Sequence, residues 1–421
     1  MIERETWAEV ILDYRRLFRW GVKREIEVPM PNTPLAVSIV GPRRAGKTFL
    51  MLQTMGELVG SGIPESRVVY INFEDPRLTD VTLDDLMVFL EVLNEMHPDD
   101  AGETRYFFLD EVQNVPGWER FVRYLLDFDN RVFVSGSSSK LLSKEIATQL
   151  RGRSISVGVF PFSFREFLKA RGEKLPKYLS TEEKAKVTAL LGEYLEWGGY
   201  PEAVLNPELR MEVLRSILDL AVYRDIVERW GIRNVSAIRL LLKMLARSSH
   251  LTLSKAYSTL KSLGVSVGKG TLADYMEYLS DAFILYRLPP YVKSYKKAEL
   301  LGFKPYLVDS GLLRILGVTD RGRLLENTVF MELIRRGFTP GEDLFYFPSE
   351  GGEVDFIAGE EAIQVTYEIH PFNRERELKP LLKAANSCGA RTLKVITFAQ
   401  RETLGLKGRK IEIVPLLRWL L

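Results

Sequence analysis

The sequence predicts a multidomain α/β protein built around a parallel β-sheet. Short apolar runs alternate with helical stretches over residues 35–160, and a glycine-rich turn lies between the first such run and the next helix. This alternation indicates strands joined by crossover helices, the arrangement that produces a parallel sheet. The chain has 421 residues, a length that accommodates roughly two to four domains.

Composition places the chain among ordinary globular proteins. Apolar residues make up 46% of the sequence and charged residues 27%, and the net charge of +2 identifies no partner. The single cysteine, Cys388, excludes an intramolecular disulfide. No apolar run approaches the roughly 18 residues of a membrane span, and the charged start is unlike a signal peptide. We therefore expect a cytoplasmic protein with no membrane partner.

The pattern of apolar, glycine and proline residues indicates five segments. We predict an N-terminal helix that continues to about residue 30 and ends in a linker, then a strand-and-helix core and a helical region. A basic region of shorter helices and a final region of strands and helices follow. The five segments are 1–34, 35–160, 161–232, 233–300 and 301–421.

The glycine-rich turn, GPRRAGKT at residues 41–48, fits G-x-x-x-x-G-K-[ST] at every fixed position. Its glycines allow successive backbone N–H groups to face one anion, and the following helix adds its N-terminal dipole. We predict that the turn binds ATP, with Lys47 at the β- and γ-phosphates and the Thr48 hydroxyl on Mg²⁺. The predicted nucleotide-binding residues are Gly41, Pro42, Arg43, Arg44, Ala45, Gly46, Lys47, Thr48 and Phe49.

An acidic pair follows the apolar run YFFL at residues 106–109. A carboxylate at the end of a buried strand is the position from which P-loop proteins hold Mg²⁺, and we assign this role to Asp110. Glu111 is placed to polarise the attacking water as a general base. The pair favours hydrolysis of the nucleotide over sensing alone.

A third strand, RVFVSGSSS, ends in hydroxyl residues, and the tripeptide RGR precedes the last core strand. Ser135 or Ser137 is placed to orient the water or to contact the γ-phosphate. Arg151 or Arg153 is placed to stabilise the transferring charge, either in its own chain or in a neighbouring subunit. A surface ion pair is the alternative for the arginines.

These stretches together resemble archaeal and bacterial AAA-type P-loop ATPases that carry a C-terminal DUF4143-like region. The resemblance rests on GPRRAGKT, YINFEDPRL, FFLDEVQNVPGWE, VSGSSSKLL, LRGR and FPFSFREFL, and continues through WGGYPEAV, YRDIVER, KPYLVDSGLLRILG and LLENTVFMELIRRG. It implies an ATPase core, a helical lid, a winged-helix domain and a nuclease-like tail. It also implies the arginine-finger position for Arg151 or Arg153, and the sensor position for Ser137.

The region from 231 to 305 holds twelve basic and four acidic residues, a net charge of +8. Such an excess of positive charge is typical of a surface that binds the phosphate backbone of a nucleic acid. Three predicted helices and then a β-ribbon, FILYRLPPYV, give a winged-helix order, with the third helix available for the major groove of double-stranded DNA. The alternative is a winged helix that contacts only protein. The predicted DNA contacts are Lys269, Thr271, Tyr275, Arg287 and Lys293.

The last region resembles the PD-(D/E)XK nuclease core. Glu326 matches the helix acid of that core, and Asp355 matches its strand aspartate. Gln364 and Thr366 stand where the second acid and the lysine belong, on one face of a strand. An amide is a weaker metal ligand than a carboxylate, and threonine supplies no cation to activate water. We therefore expect a vestigial nuclease domain that no longer cleaves DNA.

The combined prediction is an ATP-hydrolysing AAA-type ATPase that couples its nucleotide state to a DNA-binding winged helix and an inactive nuclease-like domain. Two other classes stay open: a nucleotide-gated switch acting on a protein partner, and a DNA endonuclease licensed by ATP. The oligomeric state stays open as well, since an arginine finger in trans requires a ring and one in cis does not.

Overall fold

The computed structural model describes residues 2–14, 21–136, 150, 152–174 and 180–421, with the side chain of Tyr295 excepted. The chain divides into two compact units, Met1–Phe160 and Pro161–Leu421. No helix in the described ranges is long and apolar enough to cross a membrane.

Five parallel strands form the sheet of the first unit, in the order β2-β3-β4-β1-β5. They are β1 (Ala36–Val40), β2 (Val68–Asn72), β3 (Tyr106–Asp110), β4 (Arg131–Gly136) and β5 (Ser154–Gly158). All of β1 is buried, as expected for an inner strand of a parallel sheet that is covered on both faces. The predicted parallel α/β sheet is confirmed.

The first unit contains four described α-helices: α1 (Arg4–Tyr14), α2 (Lys47–Gly60), α3 (Leu83–Met96) and α4 (Trp118–Asp127). A capping box begins α3: the Thr82 hydroxyl accepts from the Asp85 N–H, and the Asp85 carboxylate accepts from the Thr82 N–H. The buried face of α1 packs on α3, with the ring centroids of Trp7 and Phe89 5.2 Å apart.

The predicted N-terminal helix is too long, because residues 21–35 are not helical. Ile26 and Val28 instead alternate with charged residues and pack against the core of the sheet. The prolines that follow, beginning at Pro29, each lack the N–H that would continue a helix.

Helices open the second unit. They are α5 (Phe164–Ala170), α6 (Thr181–Trp197), α7 (Pro201–Leu205) and α8 (Arg210–Val222), and α8 continues as a π-helical turn, Tyr223–Glu228. Capping boxes of serine and glutamate begin both α5 and α6, which explains why these helices start where they do.

Three helices and a pair of antiparallel strands follow. They are α9 (Val235–Arg247), α10 (Leu253–Ser262), α11 (Lys269–Asp281), β6 (Leu285–Leu288) and β7 (Lys304–Leu307). The predicted ribbon within FILYRLPPYV is wrong, since β6 pairs with β7, which lies beyond the short helix α12 (Tyr295–Leu301). Pro289 and Pro290 directly follow β6 and lack the N–H groups of a returning strand.

A mixed six-stranded sheet completes the second unit, in the order β12-β13-β11-β10-β9-β8. Its strands are β8 (Leu344–Ser349), β9 (Gly352–Ala358), β10 (Glu361–Val365), β11 (Thr392–Thr397), β12 (Glu402–Leu406) and β13 (Arg409–Pro415). The helices of this region are α13 (Ser310–Ile315), α14 (Arg321–Arg335), α15 (Arg374–Ser387) and α16 (Leu416–Leu420). Aliphatic residues such as Leu381, Val395 and Ile411 form the buried core on this sheet.

Candidate functional site

The loop between β1 and α2 requires both of its glycines. A Cβ at Gly41 would lie 1.9 Å from the carbonyl oxygen of Val159. Gly46 caps α2 with a φ of 99°, in the left-handed region where other residues are strained. The chain therefore turns tightly from a buried strand into a helix N-terminus, a place where backbone N–H groups attract an anion.

Lys47 begins α2 and is only 5% exposed. Its ammonium group donates to the carbonyl oxygens of Gly41 at 3.1 Å and Pro42 at 3.2 Å. These bonds hold the cation across the loop, where its charge complements a phosphate group.

The remaining loop residues differ in exposure. Ala45 is buried, whereas Arg44 is exposed with a φ of 59°. Arg43 forms an ion pair with Glu74 at 3.5 Å. The ring of Phe49, on the first turn of α2, is 53% exposed. The loop thus presents polar and aromatic side chains around a buried lysine.

Asp110 is the meeting point of three hydroxyl groups. Its buried carboxylate accepts from Thr48 Oγ1 at 2.7 Å, from the Tyr70 hydroxyl at 2.8 Å and from the Ser135 hydroxyl. The contact with Thr48 joins the start of α2 to the end of β3. Two oxygens suited to a hard divalent cation, a hydroxyl and a carboxylate, are therefore adjacent.

Glu111 follows β3 with a φ of 55°, in the left-handed region. Its N–H donates to Ser135 Oγ at 3.1 Å, and its carboxylate accepts from the Gln113 amide. Burial raises the pKa of Glu111, while Lys47 opposes that rise. A carboxylate with a raised pKa takes up a proton more readily, which suits a general base.

Arg153 lies at the opposite end of the strands from the glycine loop, too far away to contact that loop in its own chain. Its carbonyl accepts from the N–H of Ala36 at the start of β1, at 3.0 Å, whereas the loop follows the end of β1. Strand rise separates these two ends by roughly 13 Å. Its guanidinium forms an exposed ion pair with Asp127 at 2.6 Å. The predicted role of Arg153 in cis is therefore wrong, and the predicted residues Arg151 and Ser137 lie outside the described residues.

Arg24 supports the loop, and no sequence pattern predicts this role. Its guanidinium donates to the carbonyl oxygens of Ala45 and Phe160, each at 2.7 Å, and its N–H donates to the Gln53 side chain at 2.8 Å. Arg24 sits in a run of charged residues, KREIE, and no spacing marks it. The contact of Tyr70 with Asp110 was not predicted either, because Tyr70 resembles any other large residue of an apolar strand.

The predicted DNA contacts on α11 divide by exposure. Lys269 and Thr271 are exposed, and the Lys269 ammonium donates to the Ser254 hydroxyl at 2.9 Å. Tyr275 is buried, with 6% exposed. Its prediction as a DNA contact is wrong, because the helical repeat places it on the inner face of α11 with Leu272.

The other two predicted contacts lie after α11. Arg287 on β6 forms an ion pair with Glu277 at 2.7 Å, and Lys293 is exposed. Arg287 is thus partly neutralised by an acid of the neighbouring helix.

The two acids predicted from the nuclease resemblance, Glu326 and Asp355, both contact one buried lysine. Glu326 of α14 and Asp355 of β9 contact Lys304 Nζ at 2.8 and 2.6 Å. The Gln364 side chain accepts from the Asp355 N–H at 3.3 Å and donates to Glu377 at 2.8 Å. Thr366 still stands at the position of the motif lysine, but Lys304 of β7 supplies a cation to these acids from outside the nuclease-like motif.

Electrostatics distinguish the two acids. Burial raises the pKa of Asp355, and the nearby Lys304 cation offsets only part of that rise. Burial acts on Glu326 in the same direction, but Lys304 and Arg323 outweigh it and hold the pKa of Glu326 below its ordinary value. The cluster therefore keeps negative charge beside the buried lysine.

Two protein-family models match the chain. Residues 33–168 match a model described as an AAA domain, and residues 188–322 match a domain of unknown function, DUF8612. The first match spans the parallel sheet, the glycine loop and the Asp110–Glu111 pair.

Relatives match over nearly the full length. The uncharacterized protein MJ1544 of Methanocaldococcus jannaschii is 37% identical, with 98% of this chain and 94% of that protein covered. An uncharacterized protein of Haemophilus influenzae is 31% identical, with 88% of each chain covered. A solved structure, the Walker-type ATPase PABY2304 of Pyrococcus abyssi, is 14% identical with a TM-score of 0.45, over 76% of this chain and 96% of that one. The sequence identities show that the chain belongs to the family of the M. jannaschii and H. influenzae proteins, and its residues 33–168 match an AAA domain.

Proposed function

We propose that the protein binds ATP with Mg²⁺ at the loop between β1 and α2 and hydrolyses it. The observation that supports this most is the 2.7 Å contact between the Thr48 hydroxyl and the Asp110 carboxylate. These two groups hold Mg²⁺ in P-loop proteins. They lie next to Lys47 and to a second carboxylate, Glu111.

The residues of the loop fit this ligand. The tight turn at Gly41 leads into the N-terminus of α2, where a helix attracts phosphate oxygens, and Lys47 adds a positive charge. Thr48 and Asp110 would hold the metal through oxygen atoms. A Mg²⁺ ion held there would supply positive charge to offset the negative charge that develops on the phosphates.

Other side chains would position and activate water. Lys47 exchanges its two carbonyl partners for phosphate oxygens, so that its charge is used where negative charge accumulates. Glu111 accepts a proton from the attacking water, and Gln113 orients its carboxylate. Ser135 fixes both Asp110 and the Glu111 backbone, so the two acids keep their relative placement.

ATP binding by calorimetry and phosphate release under turnover test the proposal. Lys47→Ala should abolish both. Lys23→Ala removes a lysine that is 73% exposed and pairs with Glu57, and it should change neither. Equal affinity for ATP in the Lys47→Ala variant and the natural protein would contradict the proposal.

We further propose that residues 231–305 bind double-stranded DNA as a winged helix and that the ATPase rate responds to this binding. The net charge of this region supports the proposal, because it is +7 even without the buried Lys304, as does the order of three helices and an antiparallel strand pair. ATPase rates measured with double-stranded DNA over a range of salt test it. Stimulation should fall steeply as salt rises, whereas a rate indifferent to any nucleic acid would favour a protein partner.

A further inference from the structure

Lys304 is buried at a point where three carboxylates converge. Its side chain is 1% exposed, and its Nζ lies 2.6 Å from Asp355, 2.8 Å from Glu326 and 3.0 Å from Glu353. A buried cation is tolerated only when opposite charges and hydrogen bonds replace its hydration. Three acidic partners at these distances meet that requirement.

The same carboxylates are engaged by further protein groups. The partners are the Tyr306 hydroxyl for Glu326 at 2.6 Å, the Val365 N–H for Asp355 at 2.8 Å and His250 Nε2 for Glu353 at 2.9 Å. Each acid is therefore oriented by the surrounding chain as well as by the lysine.

The residues do not fit the divalent metal that the nuclease resemblance implies. Such a cation takes carboxylate oxygens at about 2.0–2.6 Å, and the point on which these oxygens converge is filled by Lys304 Nζ. In the part of the chain that the structure describes, no group of three or more His, Cys, Asp or Glu side chains is arranged to hold a metal ion.

We propose that Lys304 is a resident cation that takes the place of a divalent metal and closes this cluster to metal-dependent cleavage of phosphodiesters. The same contacts link β7, which packs beside helix α9, to β9 and α14. A cavity of about 1040 Å³ is lined by Glu326, Glu353 and Asp355, so ions in solution can reach the edge of the cluster.

Titration of Mn²⁺ into the nucleotide-free, full-length protein tests this inference. All samples carry Asp110→Asn, which removes the acid of the nucleotide site. With Lys304 present, we expect no saturable Mn²⁺ binding and no nicking of plasmid DNA with Mg²⁺ or Mn²⁺. Saturable binding that Asp355→Asn abolishes would overturn the inference, as would nicking that depends on Asp355.

A complementary experiment removes Lys304. Lys304→Ala leaves three converging acids, so its melting temperature should fall and Mn²⁺ should restore most of the loss. Lys407→Ala, an exposed lysine, is the control and should show neither effect. A folded Lys304→Ala protein that gains no Mn²⁺ binding would count against the inference. If that variant does not fold, Lys304→Met keeps the aliphatic stem and is measured in the same way. The Mn²⁺ titration and nicking assay of the protein that retains Lys304 test the inference independently of both variants.

Discussion

The hydroxyl of Tyr70 donates a hydrogen bond to the Asp110 carboxylate across the neighbouring strands β2 and β3, with the two oxygens 2.8 Å apart. Burial raises the pKa of Tyr70, and the charge of Asp110 raises it further. The hydroxyl therefore remains a donor throughout the neutral range. Together with Thr48 and Ser135, it holds the carboxylate in one orientation.

Tyr70→Phe removes this donor and keeps the ring. We expect the free energy of unfolding to fall by about 1–2 kcal/mol, because a buried carboxylate loses one of its partners. The ATPase rate should fall as well, since Asp110 is held less firmly. Urea denaturation and phosphate release measure the two effects. Tyr124→Phe, on the surface of α4, is the matched control, and equal behaviour of the two variants would show that the contact has no consequence.

Gly41→Ala should abolish ATP binding. The added Cβ would lie 1.9 Å from the Val159 carbonyl oxygen, so the loop must shift away from the end of β1. Gly60→Ala, at the other end of α2, meets no atom within 4 Å and should raise stability by up to about 1 kcal/mol. Calorimetric titration with ATP distinguishes the two variants, and tight binding by Gly41→Ala would show that the loop tolerates the clash.

Asp309 should make stability depend on pH. Its carboxylate accepts from the N–H groups of Gly199 and Gly311, each at 2.8 Å. Burial nevertheless raises the pKa of Asp309 from 3.8 to about 6. Because the folded-state pKa is the higher one, the stability from this group is fully present below pH 3.8 and is lost as pH rises through about 6.

Asp309→Asn removes this titration. Relative to the natural protein, the free energy of unfolding of the variant should increase between pH 4 and pH 7 by up to about 3 kcal/mol. Urea denaturation of both proteins over this range provides the difference, in which the other titrating groups cancel. A difference that does not change with pH would contradict the account of Asp309.

Charge reversal tests the DNA-binding proposal at single residues. Lys269→Glu and Lys293→Glu should each weaken binding of double-stranded DNA several-fold and lower the slope of log affinity against log salt by about 1. Lys407→Glu changes charge equally at an exposed lysine outside the basic region and is the control. Fluorescence anisotropy at several salt concentrations measures affinity and slope. The same loss in all three variants would reflect net charge alone.

The parallel sheet and the glycine loop were predictable from the sequence because both are locally determined. β1 is a short apolar run with every residue buried, and such a run is recognisable without its neighbours. The requirement at Gly46 is likewise local, since it arises from the left-handed backbone that begins α2.

Contacts between distant segments were not predictable from pattern. Lys304 and Asp355 are 51 residues apart in sequence, and Tyr70 and Asp110 are 40 apart. The pairing of β6 with β7 was missed for the same reason, because α12 separates the strands. Hydrophobic periodicity describes neighbours along the chain, whereas these contacts depend on how the sheets and helices pack.

Glu111→Gln tests the central proposal most directly. The amide keeps the size of the side chain but cannot accept the proton of the attacking water. We predict that the variant binds ATP with near-unchanged affinity by calorimetry and hydrolyses it about 100-fold more slowly or worse. Hydrolysis at the rate of the natural protein, with ATP bound equally well, would contradict the assignment of Glu111 and with it the proposed mechanism.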